Sequence, residues 1–360
     1  MAIYIGLIIF ILFLPIVVRR FCLTKKKENK TVALIGMSVI FLILALKGDV
    51  GSDISGYLTQ YNISATKAWG DVDYVYFESG YITLMKVFSK AGIDFQVFMV
   101  CIYALACSAM YFFIRKYSKD PTFSMIIFIC YQFFVFYISG VRQTIAMSLC
   151  LYAYMVFQKR KLWSYISAFL ITAVAFSIHQ SSIIFFLVLI FAFIKTKKIN
   201  IWAYLIGIAG TIVFRPFIWS IIDTYLRHVE VGTAITLGGN FIFLIGISLF
   251  MYMVNAQNAV VRISGDSLGE LFDTHTVFST RMLLLSVGSL ILFSGHSLTR
   301  AAMYLSMFLI IGLPNTVYRL ERKHKILLET AFIIFFILLF YFETLQPNQL
   351  ELCPYKFFWE

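Results

Sequence analysis

Charge is scarce in this chain of 360 residues: only 13% are Asp, Glu, Lys or Arg, while 61% are hydrophobic. No soluble core of this length needs so little polar surface, so a soluble globular domain is the first class excluded. Cysteine is scarce too. The six thiols form no C-x-x-C, which removes the usual sequence sign of a zinc or thiol-redox centre. Cys101, Cys107, Cys130 and Cys150 lie in apolar stretches, where a free thiol packs as a small hydrophobe. Also missing are G-x-x-x-x-G-K-S/T, G-x-G-x-x-G and H-E-x-x-H, and with them the sequence support for nucleotide-driven transport and zinc hydrolysis. Nothing in the chain calls for a cofactor.

What is present is apolar sequence cut by short polar joints. Twelve stretches read as spans: Ile3–Val18, Thr31–Leu46, Phe95–Ile114, Thr122–Ser139, Arg142–Phe157, Leu162–Ser177, Ser181–Ile194, Ile201–Ile222, Asn240–Val254, Met282–Phe293, Leu298–Leu313 and Ile326–Phe342. The expected fold is an all-α polytopic membrane protein with about 12 transmembrane helices, forming a single integral membrane domain over residues 1–360. Several stretches run only about 14 to 18 residues, under the roughly 20 that cross a hydrocarbon core of about 30 Å. The weakest joints are therefore Gly140–Val141 and Ile178-His179-Gln180, where neighbouring spans read equally as one long broken helix.

The basic residues sort to alternate joints. Arg19 to Lys30, Arg115 to Lys119, Lys159 to Lys161, Lys195 to Lys198, Arg262 with Arg281, and Arg319 to Lys325 hold most of the 30 Lys and Arg. Positive charge marks the cytoplasmic side. That sidedness accounts for the formal net charge of +12 without nucleic acid as a partner. The first stretch has no basic residue before it and several behind, the reverse of a cleavable signal peptide, so it reads as a retained span starting outside.

One outer joint is long. Lys47 to Asp94, about fifty residues, is polar and punctuated by Gly48, Gly51, Gly56, Gly70, Gly80 and Gly92, with acids at Asp49, Asp53, Asp71, Asp73, Glu78 and Asp94. Its aromatics, Tyr57, Tyr61, Trp69, Tyr74, Tyr76, Phe77 and Tyr81, read either as a sugar-binding surface, because flat rings accept the C–H faces of sugars, or as an interfacial belt. Tyr81, Leu84, Met85, Val87 and Phe88 fall at helical spacing, as expected of an interfacial or re-entrant helix.

A few charged residues defy the sidedness. Arg142 opens a span at the outer surface, where snorkelling is the bland reading. Arg215 falls ~21 Å along its stretch, in the outer half beside the helix-distorting Pro216, and an arginine at that depth is a functional candidate. Arg300 stands near the outer start of its stretch with Tyr304 one turn on. A planar guanidinium that never deprotonates matches phosphate oxygens bidentately, so the three arginines suit a pyrophosphate. His179, on the same side, reads either as a packed, hydrogen-bonded histidine or as a general base for a sugar hydroxyl; His296 is a second candidate because it precedes Arg300. Asp71-Val72-Asp73 spells a D-x-D, a pattern short enough to arise by chance in an acidic loop, and no metal is expected.

Gly48-Asp49-Val50-Gly51-Ser52-Asp53 with Tyr57 and Tyr61, then Glu78 and Tyr81, Val141-Arg142-Gln143-Thr144-Ile145-Ala146, Phe176-Ser177-Ile178-His179-Gln180-Ser181-Ser182, Leu298-Thr299-Arg300 with Tyr304, and the tail Cys353-Pro354-Tyr355-Lys356-Phe357-Phe358 together resemble the EpsG branch of the Wzy-type polysaccharide polymerases. The resemblance runs from about Lys47 to the end of the chain. Lys47 departs from it, since relatives often carry arginine there.

The resemblance implies a membrane glycosyltransferase of the bacterial cytoplasmic membrane, with its active site facing the periplasm or cell exterior. It would polymerise oligosaccharide repeat units carried on undecaprenyl pyrophosphate, for O-antigen, capsule or exopolysaccharide, with a chain-length regulator as a possible further partner. On that reading Arg142, Arg300 and Arg215 hold the pyrophosphate, His179 is the base with Asp53 or Glu78 as substitutes, and Gln143, Tyr57, Glu78 and Tyr304 contact substrate. Two other classes compete. A lipid-linked sugar flippase or transporter would carry polar residues at several depths, yet the inner halves of the stretches are nearly bare and no repeat is visible. A glycan ligase or membrane acyltransferase using His179 shares most of these residues.

Overall fold

The computed structural model describes residues 1–72, 75–194, 199–225, 239–258, 267–294 and 297–360. Among them the regular structure is helical, apart from one isolated antiparallel bridge between Lys47 and Phe357. The chain divides into two compact units, Met1–Ile183 with Arg322–Glu360, and Ile184–Glu321. The first begins with α1 (Ala2–Arg19), α2 (Lys25–Ala45), α3 (Ile54–Thr66), α4 (Ser79–Lys90), α5 (Phe95–Tyr117), α6 (Pro121–Cys130), α7 (Phe133–Ser139), α8 (Val141–Phe157) and α9 (Leu162–Ile178). The second holds α10 (Phe185–Phe193), α11 (Ile201–Tyr225), α12 (Gly239–Asn258), α13 (Ser267–Leu292), α14 (Ala302–Ser306) and α15 (Leu309–Tyr318). The last helix, α16 (Arg322–Phe340), packs against α6 and belongs to the first unit.

The chain is an all-α membrane protein, but length supports fewer than the twelve spans expected. Among the described residues six helices are long and apolar enough to cross a membrane, and up to eight if each bent pair is one span. The physical reason is local. Thr122–Ser139 is split into α6 and α7, bent by 55° where Gln132 takes a left-handed φ of 42°. The stretch from Leu298 is likewise two short helices bent by 40°. Four others, among them Val141–Phe157 and Leu162–Ile178, stay at 17 residues or fewer, about 25 Å at 1.5 Å per residue, short of a full hydrocarbon core.

Caps set several of the starts. Thr24 accepts from the Lys27 N–H at 3.3 Å, Asp94 from Gln96 at 2.7 Å, and Asp120 from Phe123 at 3.1 Å with Pro121 at the first helical position. Each such cap satisfies an amide that has no partner inside its helix and is worth about 1 kcal/mol.

In the first unit the basic joints gather at one end and the long loop at the other. The Asn29 amide donates to the Lys119 carbonyl at 3.0 Å, tying the starts of α2 and α6. At the opposite end Gln96 donates to the Ala45 carbonyl at 2.6 Å, tying the start of α5 to the end of α2. The loop contains the expected helix at 79–90, and α3 besides. The C-terminal tail straps its first residues: Gly48 N–H donates to Lys356 O at 2.9 Å, Phe358 N–H to Leu46 O at 3.0 Å, and Gly51 N–H to Glu351 O at 3.2 Å. Gly51 takes φ +105° and presses on Ser139, where a Cβ would lie 3.2 Å from the Ser139 Cα. Lys47 is buried beneath this strap, its ammonium donating to the Val50 carbonyl at 3.0 Å, and burial lowers its pKa to about 7.

Candidate functional site

Three helix ends meet beside the loop. Glu78 stands at the N-cap of α4 yet makes no capping bond with its own helix. Its carboxylate points away instead. One oxygen receives Arg142 Nη1 at 2.5 Å, from the first turn of α8. The other lies 3.1 Å from His179 Nδ1, at the C-cap of α9, and accepts the Gln180 backbone N–H at 3.1 Å. An anion at a helix start is favoured by the helix dipole.

The approach of α4 to α9 depends on Gly80. A Cβ there would fall 2.6 Å from the Ser177 carbonyl oxygen, closer than packed atoms come, and the obstacle is backbone. Gly80→Val is expected to push α4 off α9 and destabilise the unit by about 1–3 kcal/mol. The check is the melting temperature against Gly56→Val, whose site has open space around it.

Glu78 is an ionised acceptor. Burial alone would raise its pKa, but the His179 hydrogen bond, the Arg142 charge and the Gln180 amide outweigh it and hold the carboxyl at about 2. Because an ionised carboxylate only accepts, Nδ1 must carry the proton it shares with Glu78. Among the described residues His179 Nε2 is buried with no hydrogen-bond partner. A carboxylate fixing one imidazole nitrogen so that the other is free to take a proton is the arrangement of a general base with its orienting acid.

The low value also predicts acid behaviour. A carboxyl held near 2 when folded and near 4.5 when unfolded contributes stability that is whole above about pH 4.5 and is lost as pH falls through 2. The contribution is on the order of 3 kcal/mol. Thermal melts of the native chain and of Glu78→Gln between pH 6 and 2 are expected to converge at the acid end.

Around the guanidinium stands an aromatic wall. Arg142 Cζ lies 4.3 Å from the centroid of Phe77. Phe77, Tyr57 and Tyr81 form a mutual triangle with centroids 5.5 to 5.7 Å apart. Arg142 Nε donates to the Tyr57 oxygen at 3.4 Å, and burial raises the Tyr57 pKa, so the phenol keeps its own proton to donate. The arginine side chain remains 21% exposed, and its Nη2 edge has no partner among the described residues. Gln143, next along α8, is buried, and among the described residues both its amide atoms lack a hydrogen-bond partner. Asp53 is exposed one turn before Tyr57, its carboxylate accepting from the Ser52 hydroxyl at 3.3 Å.

A family model for the EpsG family matches residues 30–357, nearly the whole chain. The chain belongs to the EpsG family. No curated protein and no solved structure matches it. EpsG membership places the chain among Wzy-type polymerase-like proteins of polysaccharide biosynthesis.

Of the residues nominated from sequence, the fold brings Arg142, Glu78, His179 and Tyr57 together in the first unit of this EpsG-family chain. Arg215, Arg300 and Tyr304 lie in the second. There Arg215 is buried and donates to the carbonyls of Ser294 at 2.7 Å and Leu292 at 3.4 Å, and Trp219 Nε1 joins it on Leu292 at 2.8 Å. These carbonyls close α13 and lead to the turn Ser297–Ala301 that carries the exposed Arg300; Tyr304 is buried in α14. His296, Asp73 and Tyr74 lie outside the described residues. Two contributors escaped the sequence reading: Phe77 as the face under Arg142, and Gly80 as the contact point of α4 with α9. The tail motif and the Gly48–Asp53 motif, read separately, prove to be neighbours through the strap.

Proposed function

We propose that this chain is a polymerase of lipid-linked oligosaccharide repeat units. In this reading the growing glycan moves from its polyprenyl pyrophosphate carrier onto the terminal sugar of an incoming lipid-linked unit, at the external face of the bacterial cytoplasmic membrane. The carrying observation is the junction in which one carboxylate holds both a base and a cation. His179 Nε2 takes the proton of the acceptor hydroxyl, the hydroxyl oxygen forms its bond to the anomeric carbon, and the bond from that carbon to the pyrophosphate oxygen breaks with its electron pair leaving on phosphate. Arg142 lends its free edge to the charge growing there. Arg215, occupied by carbonyls, is assigned to bracing the segment that leads to Arg300. Tyr57 and Phe77 offer a hydroxyl and a ring face to a sugar, and Gln143 a buried amide.

The chain reconstituted in liposomes with a synthetic lipid-pyrophosphate repeat unit is expected to yield a ladder of lipid-linked products. A single transfer onto a foreign acceptor would mean a ligase, and movement of the unit across the bilayer without chain growth a flippase; either result defeats the proposal.

A further inference from the structure

At the end of the first unit opposite the Glu78 junction lies a cleft of about 580 Å³. The two sites sit at the two ends of α8, about 25 Å apart along a 17-residue helix. Four cations rim the cleft from three separate joints: Lys30 in the first turns of α2, Arg115 and Lys116 in the last turn of α5, and Lys159 just beyond α8. Among the described residues no carboxylate pairs with any of the four. The nearest acids in sequence are engaged elsewhere: Glu28 with Lys25 at 2.7 Å, and Asp120 in capping α6. Arg115 and Lys116 instead lie over the rings of Tyr111 and Tyr117, at 5.7 and 5.1 Å. Below the rim the wall turns apolar with Phe112, Met155 and Val156, and Phe112 is 43% exposed.

We propose that this cleft binds an anionic phospholipid, its phosphate headgroup held by the four cations and an acyl chain lying along Phe112 and Val156. Sidedness alone asks only that basic residues fall on one face of the membrane. It does not ask three joints distant in sequence to converge on one hollow. A soluble phosphate would find the charge but has no use for the apolar wall beneath it. Unpaired cations above exposed apolar side chains, at the ends of membrane helices, match a headgroup with its chain below, and basic pockets between such helices recognise lipid phosphates in this way. The proposal does not depend on the polymerase reading.

The test uses the purified full chain in detergent, with native mass spectrometry and thermal melts in added phosphatidylglycerol, phosphatidylcholine or inorganic phosphate. Phosphatidylglycerol is expected to stay bound and raise the melting temperature, while phosphatidylcholine does neither. Lys30→Gln/Lys116→Gln/Lys159→Gln is expected to retain at least about tenfold less phosphatidylglycerol, with its melt in phosphatidylcholine unchanged. Should the triple variant not fold, Lys159→Gln alone, at an exposed position, is expected to lose roughly threefold. Equal retention of the two lipids by the native chain, a variant that holds phosphatidylglycerol as the native does, or a full stabilisation by inorganic phosphate alone would each overturn the proposal.

Discussion

Arg142→Ala is expected to slow chain extension by at least about 10²-fold, the scale on which removal of one preorganised donor to a developing anion is felt. The loss has two sources, and they are separable. In the folded chain Arg142 neutralises Glu78, whose side chain is only 11% exposed; removing the partner of a buried charge costs about 3–5 kcal/mol. Part of the defect should therefore appear as a lower melting temperature. The other part is loss of the exposed guanidinium edge, which appears as weaker binding of the lipid pyrophosphate. Arg142→Lys separates the two. An ammonium can still meet the Glu78 oxygen and recover much of the stability, but it cannot also donate to Tyr57, lie flat on Phe77 and offer a second edge to phosphate. A stable Arg142→Lys chain that extends glycan less than about a tenth as fast as the native is the expected outcome. Native-like extension by either variant would remove Arg142 from the reaction.

His179→Ala is expected to cost roughly 10²–10⁴-fold in the single-turnover rate, the usual range for a positioned base. Glu78→Gln carries the argument one step back. The amide is nearly isosteric, but it has both a donor and an acceptor and cannot compel the proton onto Nδ1, so a fraction of the imidazoles present N–H where a base is needed. Its rate should fall by roughly 10²–10⁴-fold although Glu78 never touches substrate in this scheme. If Glu78→Gln were as active as the native chain, Glu78 would be a structural counterion and His179 would owe it nothing.

Much of the fold was legible because apolar stretches and basic joints are local signals. Each of the twelve stretches has a helical counterpart, and the basic joints of the first unit do gather at one end. Span count was not legible in the same way. The bend at Gln132 depends on one residue's backbone conformation, and the 17-residue helices on where caps and packing end them, and hydropathy registers neither. Arg142 and His179 stood out as charged or titratable residues out of place among apolar neighbours. Glu78 was one of six acids in an acidic loop, and nothing local marks it as the hub, because its partners lie 64 and 101 residues away. Phe77 looked like a belt residue and Gly80 like loop punctuation for the same reason: a ring face and an absent Cβ acquire meaning only when a distant segment lies against them. Family resemblance supplied the long-range association that periodicity lacks.

Arg142 and His179, joined through Glu78, are held to serve one transfer, and a double-mutant cycle on the extension rate tests that most directly. With a lipid-pyrophosphate repeat unit in liposomes, Arg142→Ala and His179→Ala are each expected to lose at least about 10²-fold. The double variant should lose less than about tenfold beyond the worse single, since groups acting as a unit are far from additive. Losses that multiply in full, or either single variant extending glycan at the native rate, would contradict a common reacting centre at the Glu78 junction.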